Sequence, residues 1–377
     1  MKVGILTAFY APNYGAVLQC YALQNTLESE GSVECEVVNY IPASLDVHWS
    51  IFPYHQLSLS KPIKENAVIV AKAILFFTFR YSRKKKFERF VKNCLKVSSE
   101  KYDENNATFG KNYDLFVIGS DQMWSKNLFE MNEVYWGNFQ RPSSSYVSTY
   151  AVSAGSIDQF SAEDVKYIEQ SLKNFSKIGV REDVLNDFIS AHTTLKVETV
   201  LDPTLLLPKS RYDEMAVKPK EENYILIYRI GDNDLVDEVA EIAAKYYGST
   251  IVEVGNSMIT HRMRHKNYVH KLPTVEEFLG YFKYANCVLS KSFHGLVFSL
   301  VFEKQFYVFE SEIMDRVNRL LDIVELKDRV VTRDSVSSVS FSGIDYDKVN
   351  LALSRHRESS LSYIQEMLQL KTHERCE

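Results

Sequence analysis

The chain has 377 residues, too many for one ordinary core and enough for two domains at roughly 100 to 200 residues each. At 45% hydrophobic and 13% aromatic residues its composition is that of a globular protein, which argues against extended disorder. A formal net charge of −5 offers no global field to a polyanion, so nucleic acid is excluded as a partner and any anion must be held locally.

Lys2 to Phe9 reads as a buried first strand, with no apolar stretch of signal length. The turn Ala11-Pro12-Asn13-Tyr14-Gly15 leads into a helix whose apolar positions Val17, Cys20, Leu23 and Leu27 recur every three or four residues. A strand from Glu34 to Tyr40 completes a βαβ opening of the doubly wound kind. No GxGxxG separates strand from helix, so a dinucleotide fingerprint is absent.

Residues 42–112 are less regular and read as a helical insertion over the sheet, with one helical pattern across 64–95 marked by Phe87, Phe90, Val91 and Leu95. Inside it, the apolar run Ala67 to Phe79 is broken by Lys72 and falls short of the ~20 residues that span a bilayer. Arg80, Arg83, Lys84, Lys85 and Lys86 follow. The stretch at about 67–86 therefore reads either as a peripheral membrane contact or as an amphipathic helix with a solvated basic end.

Asp114 to Ile118 is a buried strand, and Gly119-Ser120-Asp121-Gln122-Met123-Trp124-Ser125 is a polar turn at its end. Either Ser120 or Asp121 caps a helix there, or Asp121 and Trp124 hold a sugar through its hydroxyls and its ring face. Tyr146 to Ser153 is another strand. A helix from Ala162 to Asn174 precedes the short strand Ile178-Gly179-Val180, which ends on Arg181, either an ion-pair partner of Glu182 or Asp183 or a functional cation. After Leu201-Asp202-Pro203-Thr204, the charged stretch around 209–222 is the expected linker. This divides the chain into a first lobe at 1–208, a second at 223–345, and a last segment at 346–377 whose helix crosses back to the first lobe.

The second lobe repeats the alternation: strand 223–229, helix 234–247, strand 249–254, helix 274–284. Cys287 to Phe309 then reads as a buried strand, a polar turn at Ser290 to Gly295, an apolar helix over Leu296 to Phe302 and a second buried strand. The turn stands at a strand's carboxyl end, where open α/β sheets bind ligands, and the helix start aims N–H groups and a positive dipole end at an anion. Ser290, Lys291, Ser292 and His294 would surround such an anion, and Gly295, lacking a Cβ, would let the backbone come close. The plainer reading is that His294 and Lys291 merely cap or face solvent. Arg316 and Arg319, three apart, share one face of a later helix.

Five widely spaced cysteines without a CxxC pair give neither a disulfide framework nor a structural zinc site, and fit a reducing cytoplasm. The nine histidines show no metal-ligand spacing, and His261-Arg262-Met263-Arg264-His265 reads as an exposed basic loop.

Five blocks in order, Asn13 to Gln19, Ile118 to Trp124, Val180-Arg181-Glu182, Leu201 to Thr204 and Ser292 to Gly295, resemble the polysaccharide pyruvyl transferase family over about residues 1–325. The resemblance implies an α/β fold of two Rossmann-like lobes facing a cleft, like that of GT-B glycosyltransferases. It implies transfer of pyruvate from phosphoenolpyruvate, as co-substrate with no other cofactor, to two hydroxyls of one sugar as a cyclic ketal. The acceptor would be a glycan or lipid-linked oligosaccharide, modified in the cytoplasm or at the inner face of the membrane. In these terms His294 and Arg181 are the catalytic candidates. Lys291, Ser292, Phe293, Gly295, Arg316 and Arg319 are donor-binding candidates, and Asn13, Tyr14, Gly15, Asp121 and Trp124 are acceptor-binding candidates.

The chemistry needs these residue types. Phosphoenolpyruvate carries three negative charges that call for fixed cations, and a proton donor and acceptor working near neutrality is best supplied by imidazole. One departure matters: relatives in this family look to carry Arg-Leu-His where this chain has Ser292-Phe293-His294. Lys291, Arg316 or Arg319 would have to supply the missing cation, or the donor differs. A nucleotide-sugar glycosyltransferase on the same architecture and a non-catalytic glycan-binding protein are the competing readings.

Overall fold

Runs such as Val3-Gly4-Ile5-Leu6 and Leu115-Phe116-Val117-Ile118 have no polar face to offer water, and both are strands covered on both sides in a parallel sheet. The computed structural model describes residues 1–43, 51–52, 57–58, 60, 62–104, 106–109, 113–231, 234–255, 265–310 and 314–370. The chain divides into two units: unit 1 is Met1–Leu206 with Ser360–Glu377, and unit 2 is Leu207–Ser359.

Unit 1 contains a seven-stranded sheet of β1 (Lys2–Leu6), β2 (Glu34–Tyr40), β3 (Val97–Tyr102), β4 (Leu115–Asp121), β5 (Tyr146–Val152), β6 (Ile178–Val180) and β7 (Val197–Thr199). Their order is β3-β2-β1-β4-β5-β6-β7, with every named pair parallel. The direction of growth reverses between β1 and β4. Helix α1 (Tyr14–Ser29) returns the chain from β1 to β2 and buries Val17, Cys20, Leu23 and Leu27. Helices α2 (Ile63–Leu75) and α3 (Phe77–Cys94) follow β2, and α4 (Ala162–Ser171) and α5 (Asp183–Ser190) lie on the β5 to β7 side of the chain.

Unit 2 contains a six-stranded parallel sheet of β8 (Tyr224–Arg229), β9 (Thr250–Gly255), β10 (Val269–Lys271), β11 (Cys287–Ser290), β12 (Gln305–Phe309) and β13 (Val330–Val331), ordered β10-β9-β8-β11-β12-β13. Here growth reverses between β8 and β11. Its helices include α6 (Asp234–Tyr247), α7 (Val275–Tyr284), α8 (Phe293–Val301) and α9 (Asp315–Ile323). Helix α10 (Tyr346–Leu368) starts in unit 2 and ends in unit 1, where Tyr363 is buried and donates its hydroxyl to the Thr149 carbonyl at 2.8 Å.

Three local expectations are corrected. The single helical pattern across 64–95 is two helices, interrupted at Phe76, whose φ of −97° and ψ of 4° leave the helical register. The irregular 42–112 insertion yields an edge strand, Val97–Tyr102, which the sequence hides because V-S-S-E-K-Y carries little apolar pattern: an edge strand is solvated and need not. The stretch expected as a linker contains a short helix, Lys209–Met215, whose Tyr212 is fully buried against Phe298 at 5.7 Å between ring centroids.

Candidate active site

In open parallel sheets the loops at the carboxyl ends of the two strands flanking a reversal diverge and leave a crevice, so the reversal in each unit is where a ligand site is expected. In unit 1 that place lies past β1 and β4. Asn13 is the N-cap of α1, its Oδ1 accepting from the Ala16 amide at 3.3 Å. Asn13 is exposed, whereas Tyr14 and Gly15 are buried and the Tyr14 ring packs on Phe87 at 4.9 Å. Gln19 is wholly buried and ties three elements together. Its amide nitrogen donates to Thr7 Oγ1 and to the Ala16 carbonyl, both at 2.9 Å, while its Oε1 accepts from the Ser120 amide at 3.2 Å.

The turn after β4 is backbone-determined. Gly119 has φ +121°, and a Cβ there would sit 2.3 Å from the Tyr150 carbonyl oxygen, so only glycine fits. Asp121 follows at φ +76°, a left-handed conformation that Asp tolerates better than most residues. Facing this turn, Arg181 is 2% exposed and pairs with Asp202 Oδ2 at 2.9 Å and Asp121 Oδ1 at 3.5 Å, while also donating to Ser120 Oγ. Asp202 accepts in turn from the Thr204 amide at 2.9 Å and from the Thr204 hydroxyl. A guanidinium in such a place is stabilised by its carboxylates, and removal of either partner would strand a charge in a poorly hydrated interior.

Trp124 corrects an expectation. Its indole is 1% exposed, stacks on Trp136 at 4.5 Å and 6°, and donates to the Tyr135 carbonyl at 2.8 Å, so no ring face is left for a sugar. It is core. A pocket of about 500 Å³ does open beside the Asn13 turn, lined by Phe9, Tyr10 and Pro12 past β1, Asn39 and Ile41 at β2, and Lys84 and Phe87 of α3.

In unit 2 the reversal lies between β8 and β11, and the turn after β11 is the one singled out from the sequence. Ser290 Oγ donates to the Tyr228 carbonyl at 2.9 Å and accepts from the Ser292 amide at 3.0 Å, which folds the turn back on β8. A Cβ on Gly295 would lie 2.3 Å from Ser290 Oγ, so this glycine is needed for close packing. Helix α8 begins at Phe293 rather than after Gly295, with Ser292 as N-cap, which puts His294 in its first turn. The His294 ring is 7% exposed and meets the Phe293 ring edge-on at 5.4 Å. Arg316, from α9, lies over the same Phe293 ring at 5.6 Å. Lys291 and Arg319 are both half-buried. Thus Phe293, His294 and Arg316 are assembled together, and Arg181, with Asp121, is assembled separately in unit 1.

Beside that turn, at the end of β8, sits a buried charge cluster that the sequence reading does not foresee. Arg229 pairs through Nε with Glu253 at 2.6 Å and through Nη2 with Asp237; Glu253 also meets His270 Nδ1 at 3.0 Å. The sequence signal was available only as charged residues inside apolar strands. For Gln19, Asp202 and Thr204 the signal was stronger, because all three stand inside the motif blocks without an assigned role.

Cys287 lies under the turn, fully buried, and burial pushes its thiol up to about 12, so it is no nucleophile. Among the described residues no group of His, Cys, Asp and Glu is arranged to hold a metal, and the stretch His261 to Arg264 lies outside them.

A search of curated proteins finds no match. Solved structures similar to the chain include the UDP-GlcNAc 2-epimerase from Methanocaldococcus jannaschii, at 12% identity over 94% of this chain and 92% of that one, with a TM-score of 0.45. The E. coli heptosyltransferase WaaC with ADP matches at 11% identity over 94% of this chain and 100% of that one, TM-score 0.42. The S. aureus MnaA-UDP co-structure matches at 11% over 97% and 90%, TM-score 0.48. At the level of sequence families, residues 13–312 match Polysaccharide pyruvyl transferase. That span holds all five motif blocks and most of both sheets, and the chain belongs to the polysaccharide pyruvyl transferase family.

Proposed function

We propose that the protein transfers the enolpyruvyl carbon skeleton of phosphoenolpyruvate to two hydroxyls of one sugar, forming a cyclic pyruvate ketal and releasing phosphate. The observation that carries this reading is the grouping of His294, the amino end of α8 and Arg316 on Phe293 at the unit 2 reversal. An imidazole, a set of helix N–H groups and a guanidinium together suit an anion that must also exchange a proton.

The roles follow from the reaction. A proton is delivered to the methylene carbon of the enol phosphate, the electron-poor C2 is attacked by one hydroxyl, and that hydroxyl gives up its proton. Phosphate leaves with the electron pair of its C2–O bond, and the second hydroxyl closes the ring with loss of a second proton. His294 is the group proposed to move these protons. Arg316 takes the place of the arginine that family relatives carry where this chain has Ser292, its guanidinium lying over the Phe293 ring. Lys291 adds a point charge, with Arg319 on the same helix as Arg316.

Arg181 takes a different role from that of a free donor cation. Engaged with Asp202, Asp121 and Ser120, it is proposed to fix the Asp121 carboxylate, which accepts hydrogen bonds from acceptor hydroxyls beside the Asn13 turn. The test is phosphate release from phosphoenolpyruvate with a panel of galactosyl, glucosyl and N-acetylmannosaminyl acceptors, with mass detection of a product heavier by one pyruvate less one water. Release no greater than that of a His294→Ala control sinks the proposal for those acceptors. Thermal stabilisation by UDP or CMP but not by phosphoenolpyruvate would point to glycosyl transfer instead.

A further inference from the structure

Helix α2 has the sequence I-K-E-N-A-V-I-V-A-K-A-I-L, yet of these thirteen residues only Ala73 is buried. Ile63, Val68, Ile74 and Leu75, with Phe77 and Tyr81 at the start of α3, are between 45% and 88% exposed. A helix this apolar normally hides one face, and this one presents it to the surroundings. Helix α3 continues with Arg83-Lys84-Lys85-Lys86 and carries seven basic residues against one acidic, a local excess of six positive charges in a chain whose net charge is −5.

We infer that the α2–α3 segment seats the protein on an anionic phospholipid surface. The helix lies in the plane of the headgroups: no helix among the described residues is long and apolar enough to cross a membrane. The apolar side chains enter the headgroup and acyl boundary while the lysines face lipid phosphates, and the two contributions together exceed what either gives alone. A second copy of the chain is the other occupant to weigh. A two-fold pairing through this face would place the same basic run on both partners close together, whereas an anionic bilayer complements it. The segment is also tied to the candidate acceptor turn, since Arg83 donates to the Pro12 carbonyl and Phe87 packs on Tyr14. Docking there would bring the Asn13 turn and its pocket near the membrane surface.

The test is co-sedimentation of the full chain with phosphatidylcholine vesicles, with and without added phosphatidylglycerol, and it needs no turnover. Binding is expected to the anionic vesicles only, and to weaken as salt is raised. Replacing Lys84, Lys85 and Lys86 together by glutamine should lower partitioning about a hundredfold, on about fivefold per lysine. Ile74→Ser with Leu75→Ser should lower it about tenfold at an unchanged melting midpoint, because both residues are already exposed. The inference is overturned by absence of binding to anionic vesicles at low salt, or by binding that neither variant alters. It is equally overturned if the chain ignores vesicles and the serine variant turns a dimer into a monomer.

Discussion

The two reversal turns stand at equivalent points of two parallel sheets and set different groups there. In unit 1, Arg181 is matched by Asp202 and Asp121 within 3.5 Å, so the turn is neutralised from inside. In unit 2, the turn after β11 sets an imidazole at a helix start next to an aromatic ring with Arg316 over it. Under the proposed function the first arrangement would receive the hydroxyls of the acceptor, and the second the anionic donor.

That contrast can be broken most forcefully at His294. His294→Gln keeps the size and a hydrogen-bonding end but cannot shuttle protons, and should lower the rate of phosphate release about 10² to 10⁴-fold with the melting midpoint nearly unchanged. In unit 1 the large effect should fall on stability instead. Asp202→Ala leaves the Arg181 guanidinium without its nearer partner, and denaturant titration should read a loss of about 3–5 kcal/mol. Trp124→Phe sharpens the same point: a stability loss without a change in acceptor KM fits a core residue, and a selective rise in KM would restore a sugar-stacking role.

Arg316→Ala should cut kcat about 10² to 10³-fold, whereas Arg316→Lys should recover only part, since a point charge neither stacks on Phe293 nor makes a fork. The smallest effect concerns Asp164, where Lys126 and the Ser161 hydroxyl hold the carboxyl down to about 2 at the start of α4. A carboxyl depressed by folding contributes stability above its unfolded value of about 3.9, and loses it as pH falls toward 2. Asp164→Asn should therefore flatten the melting midpoint between these values and cost about 0.5 kcal/mol near neutrality.

Much of this was legible in the sequence because parallel strands covered on both faces must be continuous apolar runs, and Val3 to Leu6, Leu115 to Ile118 and Cys287 to Leu289 are such runs. The turn at Ser290 to Gly295 was visible for the same reason, as an interruption between two of them. Val97–Tyr102 was not legible, since pairing through backbone groups alone leaves no side-chain signature at an edge. Trp124 was misread because an indole after a strand looks alike whether it faces a ligand or another indole; only Trp136, twelve residues later, decides it. The ties of Gln19 to Thr7 and Ser120, and of Arg181 to Asp202, span residues far apart in sequence, and such pairings have no local trace.

Unit 1 is discontinuous: its hydrophobic interior includes Tyr363, Ile364 and Met367, and a Cβ on Gly179 would meet the Tyr363 ring at 2.8 Å. Its Met1–Leu206 part is made before unit 2 yet lacks these side chains until synthesis reaches α10. Leu207–Ser359, uninterrupted, has all its own strands earlier. During translation unit 2 can thus mature before unit 1, and the last turns of α10 act as the latch that completes unit 1.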